Sequence, residues 1–99
     1  QSISSYAIDW SVQIGAFSRQ ASAEHHLAKL AGALPELMRR AKVIIDTVTT
    51  PHAVTYRARL HGMSERQAHD LCRRIKNAKF DCLTIAPAEA ALAVGNYYG

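Results

Sequence analysis

The sequence lacks any long hydrophobic run. Its apolar stretches all fall short of the roughly 20 residues that a membrane-spanning helix needs, and its first residues have neither the basic nor the apolar part of a signal peptide. The chain begins with Gln rather than Met, so we expect it to be part of a longer protein. Its 99 residues, 48% of them hydrophobic, predict one folded domain. The formal charge of +4 favours an anionic or neutral polymeric partner over a basic one.

Residue types that enzymes use are present but are not grouped into a motif. Asp9, Glu24 and Glu36 are scattered, whereas glycoside hydrolysis normally needs two facing carboxylates. The chain has no Gly-rich phosphate loop. Its histidines lack the spacing and companion carboxylate of a metal or general-base motif; they are His25, His26, His52, His61 and His69. We therefore expect no catalytic site, no metal and no cofactor.

The first segment with a clear pattern runs from Trp10 to Phe17. Side chains in a strand alternate between two faces. The alternation predicts one apolar face and one polar face, with Trp10, Val12, Ile14 and Ala16 on the first and Ser11, Gln13 and Gly15 on the second. A helix is predicted directly after this strand.

The remaining elements follow in the order helix, strand, strand, helix, strand. Apolar residues at helical spacing predict a first helix that Ser18 or Ser22 can cap and that ends near Leu34, while residues 34–40 can form another short turn. A β-branched run over 42–49 and an alternating run over 54–60 predict an antiparallel hairpin. Ser64 and Gln67 form a capping box at the start of the second helix. A last strand is predicted over 81–85. The inward residues of the second helix are predicted to be Ala68, Leu71, Cys72 and Ile75.

The two halves have similar layouts, because each consists of a strand followed by a helix. Each such unit leaves an apolar face that the other can cover. We predict an α+β fold of order βαββαβ, with a four-stranded antiparallel sheet and two helices packed on one face, as in ferredoxin-like and RNP-like folds. The predicted domain spans residues 10–86, residues 1–9 are a linker or disordered end, and residues 87–99 are a tail that can form a short helix. The other face of the sheet stays open, with Gln13, Arg57 and Arg59 on it.

The segment Val12-Gln13-Ile14-Gly15-Ala16-Phe17, followed by Ser and a helix containing Ala and Glu, resembles the opening motif of the sporulation-related repeat, or SPOR, domains. The segment Tyr56-Arg57-Ala58-Arg59-Leu60, the helix over 64–78 and Phe80-Asp81-Cys82-Leu83 are similar to the closing half. The resemblance implies non-catalytic binding of bacterial peptidoglycan at glycan strands without stem peptides. It also implies that the domain targets a periplasmic envelope protein to the septum. The segment over 34–38 and the second Cys resemble versions at the end of D-alanyl-D-alanine carboxypeptidases, which implies such a parent protein.

The same resemblance indicates which residues contact the glycan. Gln13 matches a glycan-contacting Gln of the family, Arg57 matches a frequent Arg of the third strand, and Leu83 stands where an apolar contact is common. Ala16 stands where many members have Ser, and Thr55 where some have an aromatic residue. The guanidinium of Arg59 adds planar hydrogen-bond donors, which suit sugar hydroxyls and acetamides. The predicted glycan-binding set is therefore Gln13, Ala16, Thr55, Arg57, Arg59 and Leu83.

The chain has two cysteines, ten positions apart. Cys72 is predicted on the inward face of the second helix, and Cys82 points to the helices if Leu83 faces the open side. Across a tight return the pair can reach the Cα separation of about 4.4 to 6.8 Å that a disulfide requires. An oxidising periplasm favours this bond, and two buried reduced thiols are the alternative.

Two other functions fit the same order of elements. The RNA-recognition fold stacks bases on aromatic residues of its two central strands, but here Tyr56 is predicted to face inward and Phe17 is the one ring placed to stack on the first strand. A steep salt dependence of binding would favour RNA over neutral glycan. A ferredoxin-like module that pairs proteins through its sheet would not pellet with protein-free sacculi. Nucleic acid is not favoured, contact of this domain with a membrane is not expected, and the oligomeric state stays open.

Overall fold

The computed structural model describes residues 9–87, which form a four-stranded antiparallel sheet and three helices. The strands are β1 (Trp10–Phe17), β2 (Lys42–Thr49), β3 (Val54–Met63) and β4 (Leu83–Ile85). The helices are α1 (Gln20–Ala33), α2 (Pro35–Arg40) and α3 (Glu65–Asn77). The strand order across the sheet is β2-β3-β1-β4, and the helices pack on one face. This confirms the predicted α+β class. The segment in which the sequence allowed a further short turn forms α2, a short helix that begins at a proline. The predicted linker and tail lie almost entirely outside the described residues.

The core lies between the sheet and the helices. It contains Val12 and Ile14 of β1 and Ala58 and Leu60 of β3, each at most 1% exposed. Burying one such Val, Leu or Ile side chain contributes about 1.5 to 3 kcal/mol to folding. The helix α3 buries the four residues that its periodicity predicts, namely Ala68, Leu71, Cys72 and Ile75. The described fold therefore depends on one apolar layer, and no element within residues 9–87 covers the second face of the sheet.

The two longer helices begin differently. At the start of α3, the Oγ of Ser64 accepts from the backbone N–H of Gln67 at 3.2 Å, and the Oε1 of Gln67 accepts from the backbone N–H of Ser64 at 2.8 Å. This confirms the predicted capping box. The N-cap of α1 is Arg19, which lies between the two predicted capping residues and makes no side-chain cap. The prediction that Ser18 or Ser22 caps α1 is therefore wrong, and α1 relies on its buried face.

The strand β1 contains a bulge. Gln13 pairs with Arg59 of β3, whereas Gly15 pairs with Ala58, so Ile14 has no partner of its own in the ladder. Such an extra residue interrupts the alternation of side chains between the two faces. Both Ile14 and Gly15 therefore lie on the side of the helices.

The bulge corrects the predicted faces of Gly15 and Ala16. Gly15 does not lie on the open face, because a Cβ built on it would lie 2.6 Å from the ring of Phe17 and 3.7 Å from that of His26, a residue of α1. Ala16 is exposed and lies opposite Arg57 on the open face rather than on the apolar face. The simple alternation is wrong here because it counts every residue of a strand as paired.

A second irregularity lengthens β3 beyond its predicted end at Leu60. Trp10 pairs with Met63 and Val12 pairs with Leu60, so β3 has one residue more than β1 between these pairs. Gly62 takes a φ of +84°, a left-handed conformation that glycine adopts without steric cost. As a result, Leu60 and Met63 both face the core. The last strand, β4, starts two residues later than predicted.

Candidate binding face

The open face of the sheet carries side chains from all four strands. Their positions follow from the pairing of the strands and from the burial of their neighbours in the core. The described residues on this face include Gln13 and Ala16 of β1, Ile44, Asp46 and Val48 of β2, Thr55, Arg57, Arg59 and His61 of β3, and Leu83 of β4. All six residues of the predicted glycan-binding set are thus on one face.

Strand pairing arranges these side chains in rows across the sheet. One row is Ile44, Arg59, Gln13 and Leu83, and the next is Asp46, Arg57 and Ala16. Because neighbouring strands are about 4.8 Å apart, the first row extends about 14 Å across the sheet. Thr55 lies one row further, opposite Val48 and near the hairpin turn. The structure therefore groups five of the six predicted residues closely and places Thr55 at the end of the group.

A polar network joins three strands on this face. The Nε of Arg59 donates to the Oε1 of Gln13 at 3.0 Å, and its Nη1 donates to the Oδ2 of Asp46 at 3.2 Å. The Nε2 of His61 lies 3.9 Å from the same carboxylate oxygen. The Arg59 side chain is 20% exposed and that of Asp46 is 36% exposed, so solvent screens this ion pair less than one at a freely exposed site.

Sequence reasoning missed Asp46 and His61. A signal for Asp46 existed, because it lies between Ile44 and Val48 in the hairpin strand and a charged residue there has to face away from the core. The exact hydrogen bond was not accessible from the sequence. Asp46 pairs in register with Arg57, yet its carboxylate accepts from the diagonal neighbour Arg59, which long side chains can reach across a sheet.

Arg57 and Leu83 remain available for contact with a ligand. In the described part of the chain, the guanidinium of Arg57 makes no hydrogen bond or ion pair. Leu83 is 61% exposed although it is a large apolar residue, and it lies directly beside Gln13. The face thus combines free hydrogen-bond donors with an apolar surface.

The aromatic rings of the strands lie on the side of the helices. The ring of Phe17 contacts His26 with centroids 5.2 Å apart, and the ring of Trp10 contacts His69 of α3 at 5.6 Å. Tyr56 pairs with Phe17 and shares its side of the sheet, as predicted. Within residues 9–87, the open face therefore has no Phe, Tyr or Trp, and Phe17, the one ring of the first strand considered for the RNA alternative, does not lie on it.

The two cysteines form a disulfide bond. Cys72 of α3 and Cys82 are joined, with their Cα atoms 5.3 Å apart. Because Cys82 directly precedes β4, the bond ties this three-residue edge strand to the helix layer.

Over the described range, no three His, Cys, Asp or Glu side chains are grouped so that they could hold a metal ion. Within the same range, none of the helices has the length and apolarity to cross a membrane.

These features define an α+β domain with a one-sided sheet whose open face presents hydrogen-bond donors. The SPOR domain family model matches residues 7–86, and the chain belongs to this family. It is a binding domain and not a catalytic one.

Solved structures agree with this assignment. The chain is similar to the RlpA SPOR domain from Pseudomonas aeruginosa, with 26% identity, a TM-score of 0.64 and coverage of 79% of this chain and 99% of that one. It is also similar to the peptidoglycan binding domain of the B. subtilis cell wall lytic enzyme CwlC, with 26% identity, a TM-score of 0.54 and coverage of 77% and 85%. A search of curated proteins found no significant match. The carboxypeptidase parent stays a prediction.

Proposed function

We propose that this domain binds bacterial peptidoglycan through the open face of its sheet, at glycan strands that lack stem peptides. In this proposal it works in the periplasm and targets the envelope protein that contains it to the septum. The contacts come from Gln13, Ala16, Thr55, Arg57, Arg59 and Leu83.

The observation that carries the proposal is the row of Arg59, Gln13 and Leu83 with Arg57 beside it. A glycan strand presents many hydroxyl and acetamide groups, which accept hydrogen bonds from amide and guanidinium donors. Its sugar rings also have apolar surfaces that a side chain such as Leu83 can cover. Each hydrogen bond contributes only about 0.5 to 1.5 kcal/mol. A row of donors across an exposed sheet therefore suits a polymer better than a small molecule.

The relatives support the same ligand. CwlC's matching domain is described as peptidoglycan binding, and the RlpA structure is a SPOR domain. The disulfide between Cys72 and Cys82 is the kind of bond that persists in an oxidising compartment such as the periplasm. The lack of Phe, Tyr and Trp on the described open face speaks against RNA, because single-stranded RNA is recognised largely by stacking on such rings.

The test is pelleting of the purified domain with protein-free sacculi before and after treatment with an amidase that removes stem peptides. We expect the pelleted fraction to rise with amidase treatment. A Gln13→Ala, Arg57→Ala double variant should lose about 1 to 3 kcal/mol of binding free energy, or roughly 5- to 150-fold in affinity, because two donors are removed.

A double variant with the same changes elsewhere provides the control. Gln20 of α1 and Arg66 of α3 are exposed in the helix layer, so Gln20→Ala, Arg66→Ala alters the charge equally and should bind like the unsubstituted domain. Equal losses in both double variants would show that charge, and not the open face, determines binding. Absence of pelleting before and after amidase treatment would refute the proposed ligand.

A further inference from the structure

The orientation of the Gln13 amide is fixed by its neighbour. A guanidinium has five N–H donors and no acceptor, so the amide can turn only its oxygen towards Arg59. The 3.0 Å bond from the Nε of Arg59 to the Oε1 of Gln13 meets this requirement. The NH₂ group of Gln13 consequently points away from Arg59, and no residue of the described part of the chain accepts a hydrogen bond from it.

The position of Arg59 depends in turn on Asp46. An arginine side chain has many rotamers, and ordering it costs conformational entropy that its contacts must offset. The carboxylate of Asp46, on β2, accepts a hydrogen bond from the Nη1 of Arg59. Because β3 lies between β2 and β1, Asp46 and Gln13 lie on opposite sides of the Arg59 guanidinium. The guanidinium is thus held between a carboxylate and the amide that it orients.

We infer that Asp46 is a positioning residue for ligand recognition: through Arg59 it turns the NH₂ group of Gln13 outward to donate to an acceptor oxygen of the ligand, such as the carbonyl of an acetamido sugar. This inference rests on the proposed function. It also divides the roles of the two arginines. Arg57, whose guanidinium makes no hydrogen bond or ion pair within residues 9–87, only contacts the ligand, whereas Arg59 contacts it and also orients Gln13.

The experiment measures binding to amidase-treated sacculi for Asp46→Ala, Asp46→Asn and Gln13→Glu. We expect Asp46→Ala to bind about 3- to 10-fold more weakly, the loss of one hydrogen-bond contribution. Asp46→Asn keeps an acceptor oxygen for Arg59 and should retain most of the binding. Gln13→Glu keeps the acceptor for Arg59 but loses the NH₂ donors, so it should bind no better than Gln13→Ala.

A double-mutant cycle separates positioning from general stability. If Asp46 acts through Gln13, then Asp46→Ala should cause no further loss of binding in the Gln13→Ala background. Asp70→Ala is the matched control, because Asp70 also pairs with an arginine, Arg73, but does so on α3 in the helix layer. It removes the same charge and should leave binding unchanged.

A spectroscopic readout needs no ligand. In NMR spectra of the free domain, the Nε–H of Arg59 should exchange slowly with solvent, and Asp46→Ala should speed this exchange. Full additivity of the cycle, or Asp46→Ala binding like the unsubstituted domain, would overturn this inference and leave the proposed function intact. Absence of binding by the unsubstituted domain would overturn both.

Discussion

The disulfide between Cys72 and Cys82 should determine much of the stability of this domain. The bond closes a loop with a sequence separation of 10 residues. In the chain-entropy treatment, closing a loop of this length in the unfolded state raises the free energy of unfolding by about 2.7 kcal/mol at 25 °C. For a domain of this size, that corresponds to a change of about 10 to 20 °C in the melting temperature.

The assay is thermal unfolding, followed by circular dichroism, with and without a thiol reductant. We expect the reductant to lower the melting temperature by the amount given above. The Cys72→Ala, Cys82→Ala double variant should melt near the reduced form, because both positions are at most 5% exposed and accept a small apolar residue. The reductant should not change the melting temperature of this variant, which shows that it acts through the disulfide.

The same bond should affect binding, since Cys82 directly precedes Leu83 of the short edge strand β4. Release of β4 removes Leu83 from the side of Gln13, so the reduced domain should bind amidase-treated sacculi more weakly at a temperature where it is still folded. A reductant effect below about 3 °C on the unsubstituted domain would refute the loop-entropy argument. Two reactive thiols in the denatured, unreduced protein would refute the bond itself.

Two further predictions concern the fold. Ser64→Ala removes the side-chain acceptor at the start of α3 and should lower the free energy of unfolding by about 1 kcal/mol. Ser18→Ala, at a position that does not cap α1, should change the free energy of unfolding by less than about 0.5 kcal/mol. Denaturant unfolding measures both values, and equal effects would contradict the capping assignment. Gly15→Ala places a Cβ 2.6 Å from the ring of Phe17 and should lower the free energy of unfolding by about 1 to 3 kcal/mol through overpacking, as measured by denaturant unfolding. An unchanged free energy of unfolding would show that the ring moves freely.

The predictions that the structure confirms rest on local signals. The capping box of Ser64 and Gln67 is contained in four residues, and the inward face of α3 follows from helical spacing alone. The hairpin of β2 and β3 is predicted from two strand patterns and the short turn between them. The disulfide follows from the same local geometry, because a helix and the next strand bring Cys72 and Cys82 together.

The predictions that failed concern how one strand fits another. The bulge at Ile14 moves Ala16 from the apolar face to the open face. The sequence of β1 contains one signal of this shift, because an isolated glycine within a strand, here Gly15, often marks a bulge. The effect of the bulge on the faces depends on pairing with β3, more than 40 residues later. The prediction for the cap of α1 failed because two serines fit the local pattern, whereas the helix begins at Gln20 and its N-cap is Arg19.

The sequence by itself thus determined the order of the elements, the apolar layer and the presence of Gln13, Arg57 and Arg59 on an open face, because each depends on periodicity along the chain. The tertiary structure decided how these polar residues are connected. It placed Asp46 against Arg59 and Arg59 against Gln13, and within residues 9–87 it left the guanidinium of Arg57 without a hydrogen bond or ion pair. These contacts join three strands that are distant in sequence, so they depend on the register and bulges of the whole sheet, which no local pattern contains.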